Sequence, residues 1–287
     1  MNDPVLEAVA AAAGAAVERA EPVAGGDINR ALRARLADGR TLFVKFYDAA
    51  PAGMYRAEAE GLRWLAEARA VRLPEVAAVA DEAPPRFLAL EWVERGARGP
   101  GHDERLGRGL AELHRAGAPA FGLARDNFIG NLPQRNAPLP SWPEFYGERR
   151  LAPLLRKALD EGLLPASEGA RAERLLGRLA DLCGPPEPPA RLHGDLWGGN
   201  AIADSDGEPV LIDPAVYGGH REVDLAMMRL FGGFSERTFA AYDEAFPLAE
   251  GHADRVALYQ LYPLLVHVLL FGGGYAASVG RAMAAYV

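Results

Sequence analysis

Asp195 stands in Arg191-Leu192-His193-Gly194-Asp195-Leu196-Trp197-Gly198-Gly199-Asn200, five residues before Asn200, and thirteen residues further on the apolar run Val210-Leu211-Ile212 delivers Asp213. These residue types at this spacing suit phosphoryl transfer from a magnesium nucleotide: one carboxylate to take a hydroxyl proton, then an amide and a second carboxylate to hold the metal. Asp195 is therefore expected as the base, with Asn200 and Asp213 as metal ligands. The alternative, a Gly- and Asp-rich surface turn followed by an unrelated strand, leaves the pairing of the two motifs unexplained.

A second group must hold the nucleotide phosphates. Of the 31 basic residues only Lys45 and Lys157 are lysine, and Lys45 lies in the strand-like run Thr41-Leu42-Phe43-Val44-Lys45-Phe46-Tyr47. A compact ammonium on a flexible stem reaches phosphate as a point charge, which the planar fork of Arg does not imitate. A lysine on the solvent face of an edge strand is the competing reading. Asp38-Gly39 signals a tight turn, so residues 31–37 and 40–47 should pair as an antiparallel hairpin. Just before it, Gly25-Gly26-Asp27-Ile28-Asn29 stands where a phosphate-covering loop belongs, with Gly25 and Gly26 as its candidate contacts.

Such a lysine needs a carboxylate to orient it. Met54, Glu58, Leu62 and Leu65 share one helical stripe, so Glu58 points with the apolar face, whereas Glu60 groups with Arg56, Arg63 and Glu67 on a solvated face. Lys45 is therefore paired with Glu58. The apolar run 86–93 reads as a further strand, whose backbone near Glu91 and Val93 is placed to meet adenine.

The elements that position these groups follow from the rest of the chain. At 287 residues it can bury a full core in two unequal parts, and the expected division is 1–95 for the nucleotide and 96–287 for catalysis and acceptor binding. The formal net charge of −8 provides no global field for nucleic acid. The single Cys183 excludes an intrachain disulfide. Val5 to Ala16 contains Glu7, lacks a basic leader and is too short to span a bilayer, so it reads as an amphipathic helix of a cytoplasmic protein with no membrane partner. From Asp103 the pattern turns helical; Leu106, Leu110 and Leu113 form a stripe ending at Gly117, and His114 reads as structural. Strands then helices, with a small β-hairpin at 191–213, give an α+β chain.

Asp126-Asn127-Phe128-Ile129-Gly130 with Gln134 and Asn136, Asp213-Pro214-Ala215-Val216-Tyr217, and His220-Arg221-Glu222 with Asp224 to Met227 extend the pattern. With Gly25 to Asn29, Phe43 to Lys45, His193 to Asn200 and Leu270 to Gly273, the chain resembles the fructosamine kinases (ketosamine-3-kinase family) almost end to end. These are relatives of aminoglycoside phosphotransferases and choline kinases. The resemblance implies a two-lobed protein-kinase-like fold with a small N-terminal sheet lobe and a larger helical lobe. It also implies ATP and Mg²⁺ as cofactors, and phosphorylation of the sugar 3-hydroxyl of a ketosamine, small or protein-bound, which initiates deglycation. No obligate protein partner is implied.

The resemblance gives His193 a loop-shaping role and makes Asp224 the brace of the catalytic loop. Asp126, Asn127, Trp197, His220 and Arg221 are candidates for the acceptor pocket, each with packing as the alternative. Two other functions compete: an aminoglycoside- or choline-type kinase, and a pseudokinase that binds nucleotide without turnover. The pseudokinase has no need of Asp195.

Overall fold

Asp3 opens the first helix, α1 (Pro4–Ala13), by accepting the Val5 N–H at 3.0 Å, and Gly14 ends it in the left-handed conformation at φ 72°. The computed structural model describes residues 3–24 and 30–287. Val5 and Val9 of α1 pack against Leu36, Leu42, Val44 and Phe87 of an antiparallel sheet. That sheet comprises β1 (Val17–Val23), β2 (Arg30–Leu36), β3 (Thr41–Phe46), β4 (Val76–Ala80) and β5 (Phe87–Glu91), in the order β1-β2-β3-β5-β4. The Asp38-Gly39 turn joins β2 to β3 as its sequence predicts: Gly39 takes φ 89°, and Leu36 N–H donates to the Arg40 carbonyl at 2.8 Å. Lys45 lies opposite Ala31 on one side and Leu88 on the other, so β3 is an inner strand and not an edge. Helix α2 (Met54–Ala66) buries Met54, Tyr55, Ala59, Leu62 and Leu65.

Helix α3 (His102–Arg115) is followed by the short hairpin β6 (Asn127–Ile129) and β7 (Leu132–Gln134). Ser141 and Glu144 form a reciprocal capping box at the start of α4 (Trp142–Phe145), which runs into a π-helical turn, Tyr146–Leu151, and then α5 (Ala152–Asp160). Helices α6 (Glu168–Gly177) and α7 (Leu179–Leu182) lead to β8 (Ala190–Leu192). A hairpin of β9 (Ala201–Ala203) and β10 (Pro209–Leu211) precedes β11 (Tyr217–Gly219). The chain ends in α8 (Glu222–Phe231), α9 (Glu236–Ala245), α10 (His252–Phe271) and α11 (Ala276–Ala284). The helical part has its own core, in which Trp142, Phe145 and Tyr146 meet Tyr259, Leu258 and Leu265. Each aliphatic side chain buried there contributes about 1.5–3 kcal/mol.

By contacts the chain forms two units, Met1–His102 with Ala201–Pro214, and Asp103–Asn200 with Ala215–Val287. The β9–β10 hairpin joins the first unit because Leu211 N–H donates to the Arg72 carbonyl and Gly96 N–H to that of Ala203, each at 3.0 Å. The expectation of one hairpin across 191–213 is corrected: β8 pairs instead with β11, and only β9 and β10 form a hairpin.

Candidate active site

In the first unit the inner strand β3 presents Lys45, which is 5 % exposed. Its Nζ lies 2.5 Å from Glu58 Oε2 and 2.8 Å from Asp213 Oδ1. The stripe on α2 thus delivers Glu58 to the lysine, while Glu60 is exposed. Burial alone would lower the Lys45 ammonium, yet the two carboxylates outweigh it and hold the group above its ordinary range. Glu58 is pushed up to about 7, first by burial and then by the nearby Asp213 charge, against the pull of Lys45. Its buried Oε1 has no hydrogen-bond partner among the described residues. Asp213 takes φ 53°, one of two described non-glycine residues in the left-handed region. Such backbone strain, on the order of 1–3 kcal/mol, clusters where a side chain must be aimed for function.

At the end of β5, Glu91 N–H donates to the Glu75 carbonyl at 2.8 Å, and its carboxylate accepts from Arg72 Nη2 at 2.7 Å. The Glu91 N–H is thus already engaged. Val93 lies half-buried just beyond the strand. Gly25 and Gly26 lie outside the described residues.

In the second unit the loop at 193–200 hangs on Asp224 near the start of α8. Asp224 is fully buried; its Oδ2 accepts the His193 N–H at 2.8 Å and its Oδ1 the Gly194 N–H at 2.9 Å. His114 on α3 adds its Nε2 at 3.2 Å from Asp224 Oδ2, and its Nδ1 meets the Tyr242 hydroxyl at 2.8 Å. An ionised carboxylate only accepts, so Nε2 is the donor to Asp224. Burial would raise the Asp224 carboxyl, but His114, His193 and the Gly194 amide hold it below the usual carboxylate range. The turn requires Gly194: at φ 83°, a Cβ there would lie 2.1 Å from the Ala215 carbonyl oxygen. Asp195 follows, half-buried, and Asn200 Nδ2 donates to its carbonyl at 2.8 Å and to its Oδ2 at 3.3 Å. With the amide nitrogen turned to Asp195, the oxygen is the ligand-type atom of Asn200. Trp197, two residues beyond Asp195, is 43 % exposed.

Three acceptor candidates require correction. Asn127 is buried: its Nδ2 donates to the Val216 carbonyl at 2.8 Å, while its Oδ1 accepts from Gln134 Nε2 at 2.8 Å and Asn136 Nδ2 at 2.7 Å. Arg221 is spent on both Glu187 oxygens, at 2.7 and 2.8 Å, and on the carbonyls of Phe246 and Pro247. His220 is 2 % exposed and stacks on Tyr259 with centroids 5.3 Å apart. All three are internal braces, because their polar atoms or faces are committed to the fold. Asp126 is exposed, and its Oδ1 accepts the Asn136 N–H at 2.7 Å. Sequence reasoning treated His114 as structural without seeing that it holds Asp224, and it missed Tyr242 altogether; no local pattern marks either link.

The family model for fructosamine kinase matches residues 1–287. A crystal structure of a protein assigned as a fructosamine-3-kinase, from Thermobifida fusca, superposes with a TM-score of 0.90 at 45 % identity, covering 98 % of this chain and 97 % of the other. The probable ketoamine kinase of Synechocystis is 41 % identical over 266 residues, 90 % of this chain and 87 % of that protein. The chloroplastic protein-ribulosamine 3-kinase of Arabidopsis thaliana is 38 % identical over 261 residues, 89 % and 78 %. An aminoglycoside phosphotransferase, APH(4)-Ia, solved with ADP and hygromycin B, shares the fold alone, with a TM-score of 0.67 at 13 % identity and 99 % of each chain covered. The fold is thus the two-lobed α+β kinase fold, and the chain belongs to the fructosamine kinase family.

Proposed function

We propose that this chain is an ATP-dependent kinase that phosphorylates the 3-hydroxyl of a ketosamine, using Asp195 as the base. The observation that carries the reading is the Asp195 loop, whose two preceding amides are fixed on the buried Asp224. A module that only bound nucleotide would have no use for a carboxylate so held. Membership of the fructosamine kinase family favours a ketosamine over an aminoglycoside or choline. In this reading the N-terminal segment 1–95 binds the nucleotide and 96–287 carries catalysis and the acceptor.

Lys45, oriented by Glu58, holds nucleotide phosphates; the Glu91 carbonyl and Val93 amide receive adenine, and Gly25 and Gly26 cover the phosphates. Asp195 aligns the sugar hydroxyl and accepts its proton as the oxygen attacks the γ-phosphorus, whose bond to the bridging oxygen breaks to release ADP. Among the described residues no cluster of three His, Cys, Asp or Glu could hold a metal ion alone. Mg²⁺ takes one or two protein oxygens and completes its shell with phosphates and water. Asp213 and the Asn200 carbonyl would hold the ion, which when bound neutralises charge on the phosphates.

Trp197 and Asp126 are kept as acceptor contacts, since both are exposed; Asn127, His220 and Arg221 are not. The acceptor is a free ketosamine or a glycated protein, and no further protein partner is invoked. Among the described residues no helix is long and apolar enough to cross a membrane. The lone buried Cys183 suits the cytoplasm, the compartment proposed. Incubation with MgATP and synthetic fructosamines or ribulosamines should add the mass of one phosphate, while aminoglycosides and choline remain unmodified. Modification of only the latter compounds would sink the reading.

A further inference from the structure

Arg135, Arg149 and Arg156 line a cavity of 420 Å³ in the second unit, and Glu148 is the one carboxylate among its lining residues. Glu148 meets Arg149 at 3.3 Å but is itself 62 % exposed, so the pair is screened by solvent. Neither Arg135 nor Arg156 has a side-chain hydrogen bond or ion pair among the described residues. Arg150, which does not line the cavity, is fully buried behind it, and its Nη1 donates to the carbonyls of Arg135 and Arg149 at 2.6 and 3.3 Å.

This gathering is costly by elementary electrostatics, because like charges are brought together with almost no counter-charge. The chain is not short of carboxylates: it carries 39 acidic against 31 basic residues. Elsewhere it uses them on arginine, as in Arg255 with Glu222 and Arg237 with Glu104 and Glu244. The backbone that carries Arg135 and Arg149 is also pinned by Arg150. Arg150 stacks 3.9 Å from the Tyr217 ring centroid and 4.6 Å from that of Phe145, while Arg149 Nε donates to the Ala137 carbonyl at 3.2 Å. Arg149 and Arg150 both belong to the π-helical turn Tyr146–Leu151, a geometry frequent at functional sites.

We infer that this pocket binds a small multivalent phosphate ligand, a diphosphate or a phosphate monoester, with residues separate from those assigned to the nucleotide. Guanidinium forks match phosphate oxygens in pairs, and a ligand carrying two or more charges supplies what the carboxylates there do not. The cavity is of small-molecule size. A net charge of −8 repels long polyanions, so a compact phosphate fits and a nucleic acid does not.

Calorimetric titration of pyrophosphate and of a hexose 6-phosphate, in metal-free buffer, tests the inference on three proteins: wild type, Lys45→Met and the double variant Arg135→Ser/Arg156→Ser. Both arginines are exposed, so the double variant should unfold at the wild-type temperature. One site is expected in wild type and Lys45→Met alike, weakened by about tenfold or more in the double variant, in keeping with the strength of arginine–phosphate pairs. Pyrophosphate alone binding there would identify a diphosphate ligand; binding of the hexose phosphate as well would identify a phosphate monoester. Retention of wild-type affinity by the double variant, loss of the site in Lys45→Met, or no binding to wild type at about 1 mM ligand, the weak limit of useful affinity, would each overturn it.

Discussion

Asp195 is assigned to the acceptor hydroxyl alone, so its replacement separates chemistry from nucleotide binding. Asp195→Asn keeps the shape of the side chain and removes the base; turnover should fall by roughly 10² or more while ATP affinity stays near wild type. Single-turnover kinetics beside a nucleotide titration would show it, and an active variant would remove Asp195 from its role. Lys45 gives a sharper geometric test, because Glu58 and Asp213 approach its Nζ to 2.5 and 2.8 Å. That buried space suits an ammonium and not a wider guanidinium, so Lys45→Arg should be nearly as damaging as Lys45→Ala. Glu58→Gln should likewise reduce turnover well beyond Glu60→Gln, since only the former sits on the stripe that reaches the lysine. Equal losses at the two glutamates would refute that placement.

At the level of elements, Asn127 and its neighbours show what a strand pair does for the segment that follows Asp213. The β6–β7 hairpin sends Asn127 Nδ2 to the Val216 carbonyl and Gln134 Nε2 to that of Ala215, at 2.8 and 3.0 Å, pinning the chain just after Asp213. Asn127→Ala strands several buried partners at once and should lower stability by about 2 kcal/mol or more, with little change in the Michaelis constant for the ketosamine. Asp126→Ala, at an exposed position, should cost less than about 1 kcal/mol. Denaturant unfolding of the two variants, read beside their kinetics, decides between brace and acceptor contact. A raised Michaelis constant with full stability in Asn127→Ala would restore it to the acceptor site. The same pair explains what could be read in the sequence. Glu58 was legible because helical periodicity says which way a side chain points, and the β2–β3 hairpin because Asp38-Gly39 has a local geometry. Asn127 and Arg221 were not, since a polar side chain in a Gly- and Pro-marked loop looks alike whether it faces solvent or the carbonyls of Val216 and Phe246. The β8–β11 pairing and the Tyr242 contact to His114 join segments far apart in the chain, and no local pattern encodes them.

For the molecule as a whole, the buried His220 ties stability to pH. Burial is the main cause, assisted by Arg255 and Arg221 and opposed by Glu187, and it lowers the imidazole from an ordinary 6.5 to about 4. Its Nδ1 accepts the Glu222 N–H at 3.3 Å, while Nε2 is 3.8 Å from Glu187, beyond hydrogen-bonding distance. Between these two pKa values the unfolded chain binds a proton that the folded protein refuses, so stability rises with pH in that window and is lost on acidification. The full shift corresponds to a few kcal/mol, on the order of 3. The depressed carboxyls of Asp224 and Glu187 act in the same direction but further down, below the ordinary carboxylate range. Glu58, pushed up to about 7, acts in the opposite sense, because its folded carboxyl keeps a proton that the unfolded chain gives up over that range. The His220 contribution between about pH 6.5 and 5 is therefore read as the difference between wild type and a variant without the imidazole. His220→Asn keeps an acceptor for the Glu222 amide and removes the titrating group. Urea unfolding at pH 7 and pH 5 should show that acidification costs wild type more stability, or gains it less, than it does the variant, even if the variant is less stable at both. The same change in both proteins would mean that His220 does not couple this fold to pH.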